Sequence, residues 1–452
     1  MCLACLVGML ASCSGSDYLN AIPKKSTALI SVDMQQMASD IHAEDKAGML
    51  KSLLHVEDVD KCGIDITEKM YLFESADGNL GLCAKVSSES DVEDWLASLA
   101  KQHIASEVKE RKGFHFAVLK DSWLVGFSDQ ALLVIGPVVA DAQAQLQQQM
   151  VRYLKAEEEE GITVSPLFER LQTITSPMAM VAQAQALPEK FIAPFTLGAP
   201  KDTDPSQVVI AAEMNVKDGI LQIHGETFSF NKTIDAALKK AAQTYRPIKG
   251  AYVKSMPGDA LAGIFMNVKG EQFLPMMQSN SSLQTLLMGI NQAVDMDNII
   301  RSVDGDMTIV MPTLGDADLK IMMAAKLAHS KWLGDVDYWK KSCPPGAKIA
   351  NWAKNAYFYT DGKTSFYFGV TDDKQFYSGS DELTAQYAVK PSNHPIDAKI
   401  QKFIVGQKLA MVINLAKSSD GNGSDKDDAI STVTGLLSPV FGNLSSVVYT
   451  LK

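Results

Sequence analysis

The chain repeats itself once, and that repetition constrains every fold open to it. The segment Ile22-Pro23-Lys24-Lys25-Ser26-Thr27-Ala28-Leu29-Ile30-Ser31-Val32-Asp33 has a counterpart 234 residues later, without a gap. The counterpart is Met256-Pro257-Gly258-Asp259-Ala260-Leu261-Ala262-Gly263-Ile264-Phe265-Met266-Asn267. Met70 and Trp95 correspond to Met307 and Trp332 at a displacement of 237. Gly126-Phe127-Ser128-Asp129 corresponds to Gly369-Val370-Thr371-Asp372, and Gly136 to Gly379, both at 243. Ala179-Met180-Val181 corresponds to Ala410-Met411-Val412 at 231. Matches in one order, with small drifts in spacing, indicate one ancestral unit copied once. So long a period predicts two similar domains and not a solenoid of short repeats. The expected division is a first repeat over 22–245, a linker over 246–255 and a second repeat over 256–452.

Each copy reads as α+β with antiparallel strands and packed helices. Ala28 to Val32 forms a first strand behind a proline. Met70–Phe73 and Leu80–Val86 flank Asp77-Gly78-Asn79, a hairpin signal. Phe114–Leu119 and Trp123–Phe127 flank Lys120-Asp121-Ser122 in the same way. In the second copy, Tyr357–Tyr359 and Phe366–Phe368 flank Asp361-Gly362. Val208–Val216 and Leu221–Phe228 enclose Asp218-Gly219, and a helix from Asn231 buries Ile234, Leu238, Ala241 and Tyr245. Another helix is expected from Ser90 to His103, with Ser90 and Glu93 at capping-box spacing and Val92, Trp95, Leu96 and Leu99 on its apolar face. Strands joined by tight turns, with helices in separate blocks, favour antiparallel sheets over βαβ winding. Trp95 and Trp332 are expected to pack a helix on its sheet in each copy.

The N-terminus points to a membrane anchor. An apolar run from Leu3 ends in Leu10-Ala11-Ser12-Cys13 and gives way to Ser14-Gly15-Ser16-Asp17. A short apolar core, two small residues and a cysteine form the processing site of bacterial lipoproteins. Residues 1–12 are then a signal peptide, Cys13 the lipidated first residue, and 13–21 a lipid-anchored tether. Several acyl chains, at about 0.8 kcal/mol per buried methylene, hold a protein on a bilayer. The apolar run is about half the roughly 20 residues of a spanning helix. Nothing basic precedes Lys24, whereas signal peptides open on Lys or Arg, so the natural start is expected upstream with Met1 internal.

Composition narrows the function classes. The formal net charge is −11 and no basic run occurs, which excludes a counterion-displacing nucleic-acid binder. With Cys2 and Cys5 lost with the signal and Cys13 acylated, Cys62, Cys83 and Cys343 remain. Three widely spaced thiols make neither a disulfide framework nor a zinc set. They read as buried free thiols, with a Cys62–Cys83 pair as the alternative.

Catalytic motifs are scarce. The seven histidines are scattered, and no Gly-x-Ser-x-Gly elbow occurs. Gly362-Lys363-Thr364 resembles the end of a phosphate loop, but Tyr357 stands where that loop needs glycine, so the triplet reads as a turn. Asp420, Asn422, Ser424 and Asp425 offer oxygen ligands at calcium-loop spacing, yet Ser431 occupies the twelfth position, where an EF-hand places Glu. A flexible acidic loop is the preferred reading there. Glu157 to Glu160 reads as a solvated charge run. Nine rings crowd the segment from Trp352 to Tyr377, and Tyr357, Tyr359 and Tyr367 are its candidate ligand contacts. Exposed rings there would stack on sugars. Phe366 and Phe368 correspond to Trp123 and Val125, however, and apolarity shared by both copies favours a core face.

Ser16-Asp17-Tyr18-Leu19-Asn20-Ala21-Ile22-Pro23-Lys24, directly after the lipid-bearing cysteine, resembles the start of a family of Bacteroidota lipoproteins catalogued as a domain of unknown function. The resemblance implies a cell-envelope protein of Gram-negative type, held at the outer membrane through its acylated cysteine. It implies no catalytic residues. The expected protein is a non-catalytic envelope lipoprotein, with no cofactor, that binds or scaffolds a protein or polymer partner. The alternatives are a glycan-binding surface lipoprotein and a hydrolase with its site between the repeats.

Overall fold

Tight turns with left-handed residues set the strand register. The computed structural model describes residues 15–39, 61–280, 284, 294–313, 320–362, 365–415 and 444–451. Contacts divide the chain into two units, Met1–Val181 and Ala182–Lys452.

The first unit opens on a 3-10 turn, Asp17–Ala21, in which Tyr18, Leu19 and Ala21 are buried, followed by a fully buried Ile22. Its strands are β1 (Ala28–Val32), β2 (Met70–Glu74), β3 (Leu80–Lys85), β4 (Lys109–Arg111), β5 (Phe114–Leu119), β6 (Trp123–Phe127), β7 (Ala131–Gly136) and β8 (Met178–Gln183). They lie in the order β8-β1-β2-β3-β7-β6-β5-β4. Lys120 and Asp121, at φ 46° and 61°, give the β5–β6 turn the twist that a two-stranded ribbon needs.

Helices cover both faces of this sheet. On one, Glu89–Lys101 buries Val92, Leu96 and Leu99 against Ala117, Val125, Phe127 and Leu132. Burial of each such aliphatic side chain contributes about 1.5–3 kcal/mol. Trp95 packs half-buried on the same cluster. The cap of this helix is Ser88, not Ser90. Ser88 has extended backbone and its side chain accepts from the Asp91 N–H, while the Ser90 hydroxyl sits 3.1 Å from that of Ser88. On the other face, Gln143–Leu154 buries Leu146, Met150 and Val151 and lies on β6.

The second unit contains β9 (Val209–Lys217), β10 (Ile220–Phe228), β11 (Ala262–Lys269), β12 (Val303–Thr313), β13 (Lys320–Leu327), β14 (Lys348–Ala353), β15 (Ala356–Thr360), β16 (Ser365–Val370), β17 (Gln375–Gly379), β18 (Leu409–Asn414) and β19 (Ser446–Leu451). The order is β9-β10-β19-β18-β11-β12-β13-β17-β16-β15-β14. From β18 to β14 this matches the first unit strand for strand. Helices recur at the same points: a 3-10 helix, Lys331–Asp335, and an α-helix, Val336–Lys341, follow β13 as Glu89–Lys101 follows β3, and Glu382–Tyr387 follows β17 as Gln143–Leu154 follows β7. The turn Val253–Ser255 precedes β11 as Asp17–Ala21 precedes β1.

The fold class is α+β with a mixed sheet, and one pairing departs from the all-antiparallel expectation. β10 and β19 run parallel, from Ile220 opposite Ser446 to Gly225 opposite Leu451. A hairpin turn can only make antiparallel neighbours, so a parallel pair joins strands far apart in the chain and leaves no local signal. The His224 Nδ1 and Thr450 Oγ1 atoms meet at 2.8 Å across this pair. The core beneath is built from Phe265, Val310, Met322, Ala410, Val412 and Val448, with Tyr252, Met256 and Ile400 packed onto them.

Candidate functional site

Strand alternation divides the aromatic ribbon of β14 to β17 between two faces. Tyr357 pairs with Phe368 and Tyr359 with Phe366, so these four share one face. Trp332, fully buried, lies 6.3 Å from both Phe368 and Phe376 and stacks on Trp339 at 6.0 Å. Tyr357 rests 5.7 Å from Phe368, with the Lys340 ammonium 5.3 Å above its ring. Burial first, then Asp361 and Cys343, push the Tyr359 hydroxyl pKa up. This face is core.

The opposite face carries the other candidate. Tyr367 pairs with Phe358, and the two rings stack at 5.5 Å. Trp352 stands edge-on to Tyr367 at 6.0 Å and to Tyr377 at 6.3 Å, and its Nε1–H donates to the Tyr357 carbonyl at 2.9 Å. Lys348 lies 5.7 Å over Phe358. Trp352, Phe358, Tyr367 and Tyr377 are all half-buried. The three tyrosines singled out in the sequence are therefore not brought together: Tyr367 lies on the opposite face from Tyr357 and Tyr359.

The first unit shows what usually covers this face. Gly126 pairs with Phe116 and Leu133, and Gly369 pairs with Ala356 and Tyr377. By that register, Phe358, Tyr367 and Tyr377 stand where the first sheet has Val118, Leu124 and Leu133. A Cβ on Gly126 would lie 2.7 Å from Phe116 Cε1 and 3.0 Å from Met150 Cε, so the missing side chain admits the covering helix. A Cβ on Gly369 would meet the Tyr377 hydroxyl at 2.5 Å, so the same gap is filled by a ring of the sheet itself. The covering helix has 12 residues in the first unit and 6 in the second. The short one packs on β13, β16 and β17 and exposes Leu383 (64%) and Tyr387 (48%), one turn apart. Capping by Asp381, which accepts from the Thr384 N–H at 2.8 Å, sets where it begins.

Other candidates fall elsewhere. Cys13 and the acidic loop of Asp420, Asn422, Ser424 and Asp425 lie outside the described residues. Among the described residues, no three His, Cys, Asp or Glu side chains are placed to hold a metal ion. Cys62, Cys83 and Cys343 are free thiols. Burial pushes the Cys83 thiol pKa up, and its Sγ–H donates to the Tyr18 carbonyl at 3.4 Å. Glu157 to Glu160 are exposed. His115 stacks on Phe127 at 5.2 Å with Nδ1 3.1 Å from Glu89 Oε1.

Sequence reasoning missed Tyr18. It lies 234 residues before Tyr252, so the displacement that relates Ile22 to Met256 extends back across the expected tether. Both rings are buried, and the Tyr18 hydroxyl donates to the Lys69 carbonyl at 2.7 Å.

A family model described as a domain of unknown function, DUF4836, matches residues 18–401, from Tyr18 to the last helix before β18. The chain belongs to this family. No curated protein matches it. Two solved structures of TP0453 are similar at a low level. Crystal form IV is 13% identical, covers 44% of this chain and 76% of that one, and has a TM-score of 0.27. Crystal form III is 9% identical, covers 82% and 96%, and has a TM-score of 0.24. Likeness at that level carries no argument for fold or function. Among the described residues, no helix is long and apolar enough to cross a membrane.

Proposed function

We propose that this is a lipid-anchored protein of the outer membrane whose α+β body arose by tandem duplication and binds or scaffolds a protein partner without catalysis or cofactor. One observation carries the reading. The sheet face that a 12-residue helix closes in the first unit is left, in the second, to a 6-residue helix beside half-buried Trp352, Phe358 and Tyr367. An apolar surface with a lysine at its margin has the composition of a protein contact. Membrane attachment in this reading comes from acylation of Cys13, in a Bacteroidota-type envelope.

The glycan alternative needs open ring faces. Phe358 and Tyr367 face each other, Lys348 covers Phe358, and Trp352 closes on Tyr367. These contacts favour a protein over a sugar.

The test is crosslinked co-purification from membranes, comparing wild type with a Tyr367→Ser, Leu383→Ser double variant. The expected result is loss of a crosslinked protein from a variant that still unfolds cooperatively, whatever fall in melting temperature the lost ring contacts bring. Retention of every partner by the variant overturns the surface assignment, and capture of polysaccharide in place of protein moves the reading to the glycan alternative. Cys13→Ser is expected to lose labelled fatty acid and the membrane fraction together. Turnover that vanishes with one polar substitution would overturn the non-catalytic reading.

A further inference from the structure

We propose that the first unit is held end-on at the lipid headgroups, with the β2-entry and β3-exit end of its sheet facing the bilayer. The inference rests on acylation of Cys13. Lipoproteins are free to tumble at a membrane when a flexible tether follows the cysteine. Here the fold begins almost at once. Gly15 already lies against the body, since a Cβ there would stand 3.3 Å from both Glu68 Oε1 and Lys85 Nζ. Two peptide steps separate it from Cys13, a reach of about 7 Å at most.

The following residues are locked in place. Tyr18, Leu19, Ala21 and Ile22 are buried, the Tyr18 hydroxyl donates to the Lys69 carbonyl, and the Lys24 N–H donates to the Glu160 carbonyl at 3.1 Å. Paying out more chain would mean exposing those side chains. The lipid must therefore leave the body beside Glu68 and Lys85.

That end is polar. Lys85 Nζ bridges Asp65 at 3.1 Å and Glu68 at 3.3 Å, and Thr67 is exposed between them. Mixed charges of this kind suit the hydrated headgroup layer, because burying them in hydrocarbon would leave them unsolvated. The opposite end of the same hairpin is the turn containing Ala76, Asp77 and Gly78, all exposed. The strand β2 between the two ends spans roughly 13 Å.

The test uses the full-length acylated protein carrying Cys343→Ser, in which the native thiols Cys62 and Cys83 are buried. A bimane label is placed at Thr67→Cys or at Ala76→Cys, and the protein is reconstituted in phosphatidylcholine vesicles with nitroxide headgroups. The expected result is a loss of fluorescence at position 67 and little or none at 76. A long Gly/Ser insertion after Ser14 is expected to make the two alike. Equal quenching without the insertion, in protein that carries fatty acid, overturns the orientation alone. Protein that takes up no fatty acid and does not float with vesicles overturns the anchor reading, and this inference with it.

Discussion

The two units share one eight-strand order, β8 to β4 in the first and β18 to β14 in the second, and differ in how one face of it is closed. In the first, aliphatic positions such as Leu124 and Leu133, 3% and 0% exposed, lie under a three-turn helix. In the second, tyrosines take those positions under a helix half as long. The opposite faces are covered by Glu89–Lys101 in one and by the 3-10 helix Lys331–Asp335 with the α-helix Val336–Lys341 in the other. The two units share the strand pairing, which holds each sheet together, and differ in the element that covers it. In the second unit larger rings fill part of the space that the longer helix fills in the first.

The largest effect that tests this comparison is at the paired tryptophans. Trp332 is fully enclosed among Trp339, Phe368 and Phe376, so Trp332→Ala should cost about 3–5 kcal/mol through the cavity it leaves. Trp95→Ala, at a half-buried site, should cost clearly less. Urea titration of both variants is the measurement, and equal losses would break the idea that the second unit relies more on rings.

The glycines come next. Gly126→Ala forces a methyl against Phe116 and Met150 under a packed helix and should cost about 1–3 kcal/mol. Gly369→Ala meets the far end of the Tyr377 ring, which can swing outward, so the melting temperature should fall less and tyrosine accessibility should rise. A larger destabilisation at Gly369 would mean that the ring cluster is as rigid as the helix-covered face.

Caps sharpen the contrast between helices. Ser88→Ala and Asp381→Ala each remove an N-cap and should cost about 1 kcal/mol in thermal unfolding. The short helix has fewer turns to hold it once uncapped, so Asp381→Ala should also raise proteolytic cleavage near Leu383. Unchanged cleavage there would count against a weakly closed face.

The smallest effect is pH dependence. The Thr67 hydroxyl first, with Lys85 adding to it, holds the Asp65 carboxyl below the usual carboxylate range. The Thr371 hydroxyl, with Gln375 and Lys326, does the same for Asp373 in the second unit. A carboxyl whose pKa falls on folding stabilises the native state at neutral pH. That contribution is lost as pH drops through the carboxylate range toward the depressed value. Asp65→Asn and Asp373→Asn should therefore each flatten the fall of the melting temperature between neutral and acid pH. A variant with an unaltered pH profile would show its carboxyl to be uncoupled from folding.

Much of the architecture was legible in the chain. Hairpins at Asp77-Gly78-Asn79, Lys120-Asp121 and Asp218-Gly219 were readable because turn chemistry is local, and the helix from Asn231 because its cap and apolar face are adjacent in sequence. The displaced matches also marked equivalent places, since Trp95 follows β3 and Trp332 follows β13, which take the same place in the shared strand order. The candidate site was legible only as a crowd of rings between Trp352 and Tyr377.

What the sequence determined by itself was set within a turn or two: the hairpins at Asp77-Gly78-Asn79, Lys120-Asp121 and Asp218-Gly219, the helix from Asn231, and the start of Glu89–Lys101 to within two residues. Tertiary structure alone decided that β19 lies parallel to β10, that Tyr367 parts from Tyr357 and Tyr359, and that the expected tether is folded from Gly15 onward. The reason is physical. Alternation puts neighbouring side chains on opposite faces whatever their identity, but which face is covered depends on the length and placement of a helix elsewhere in the chain. Parallel pairing and the docking of Tyr18 likewise join segments far apart in sequence, through contacts that exist only once the chain has closed on itself.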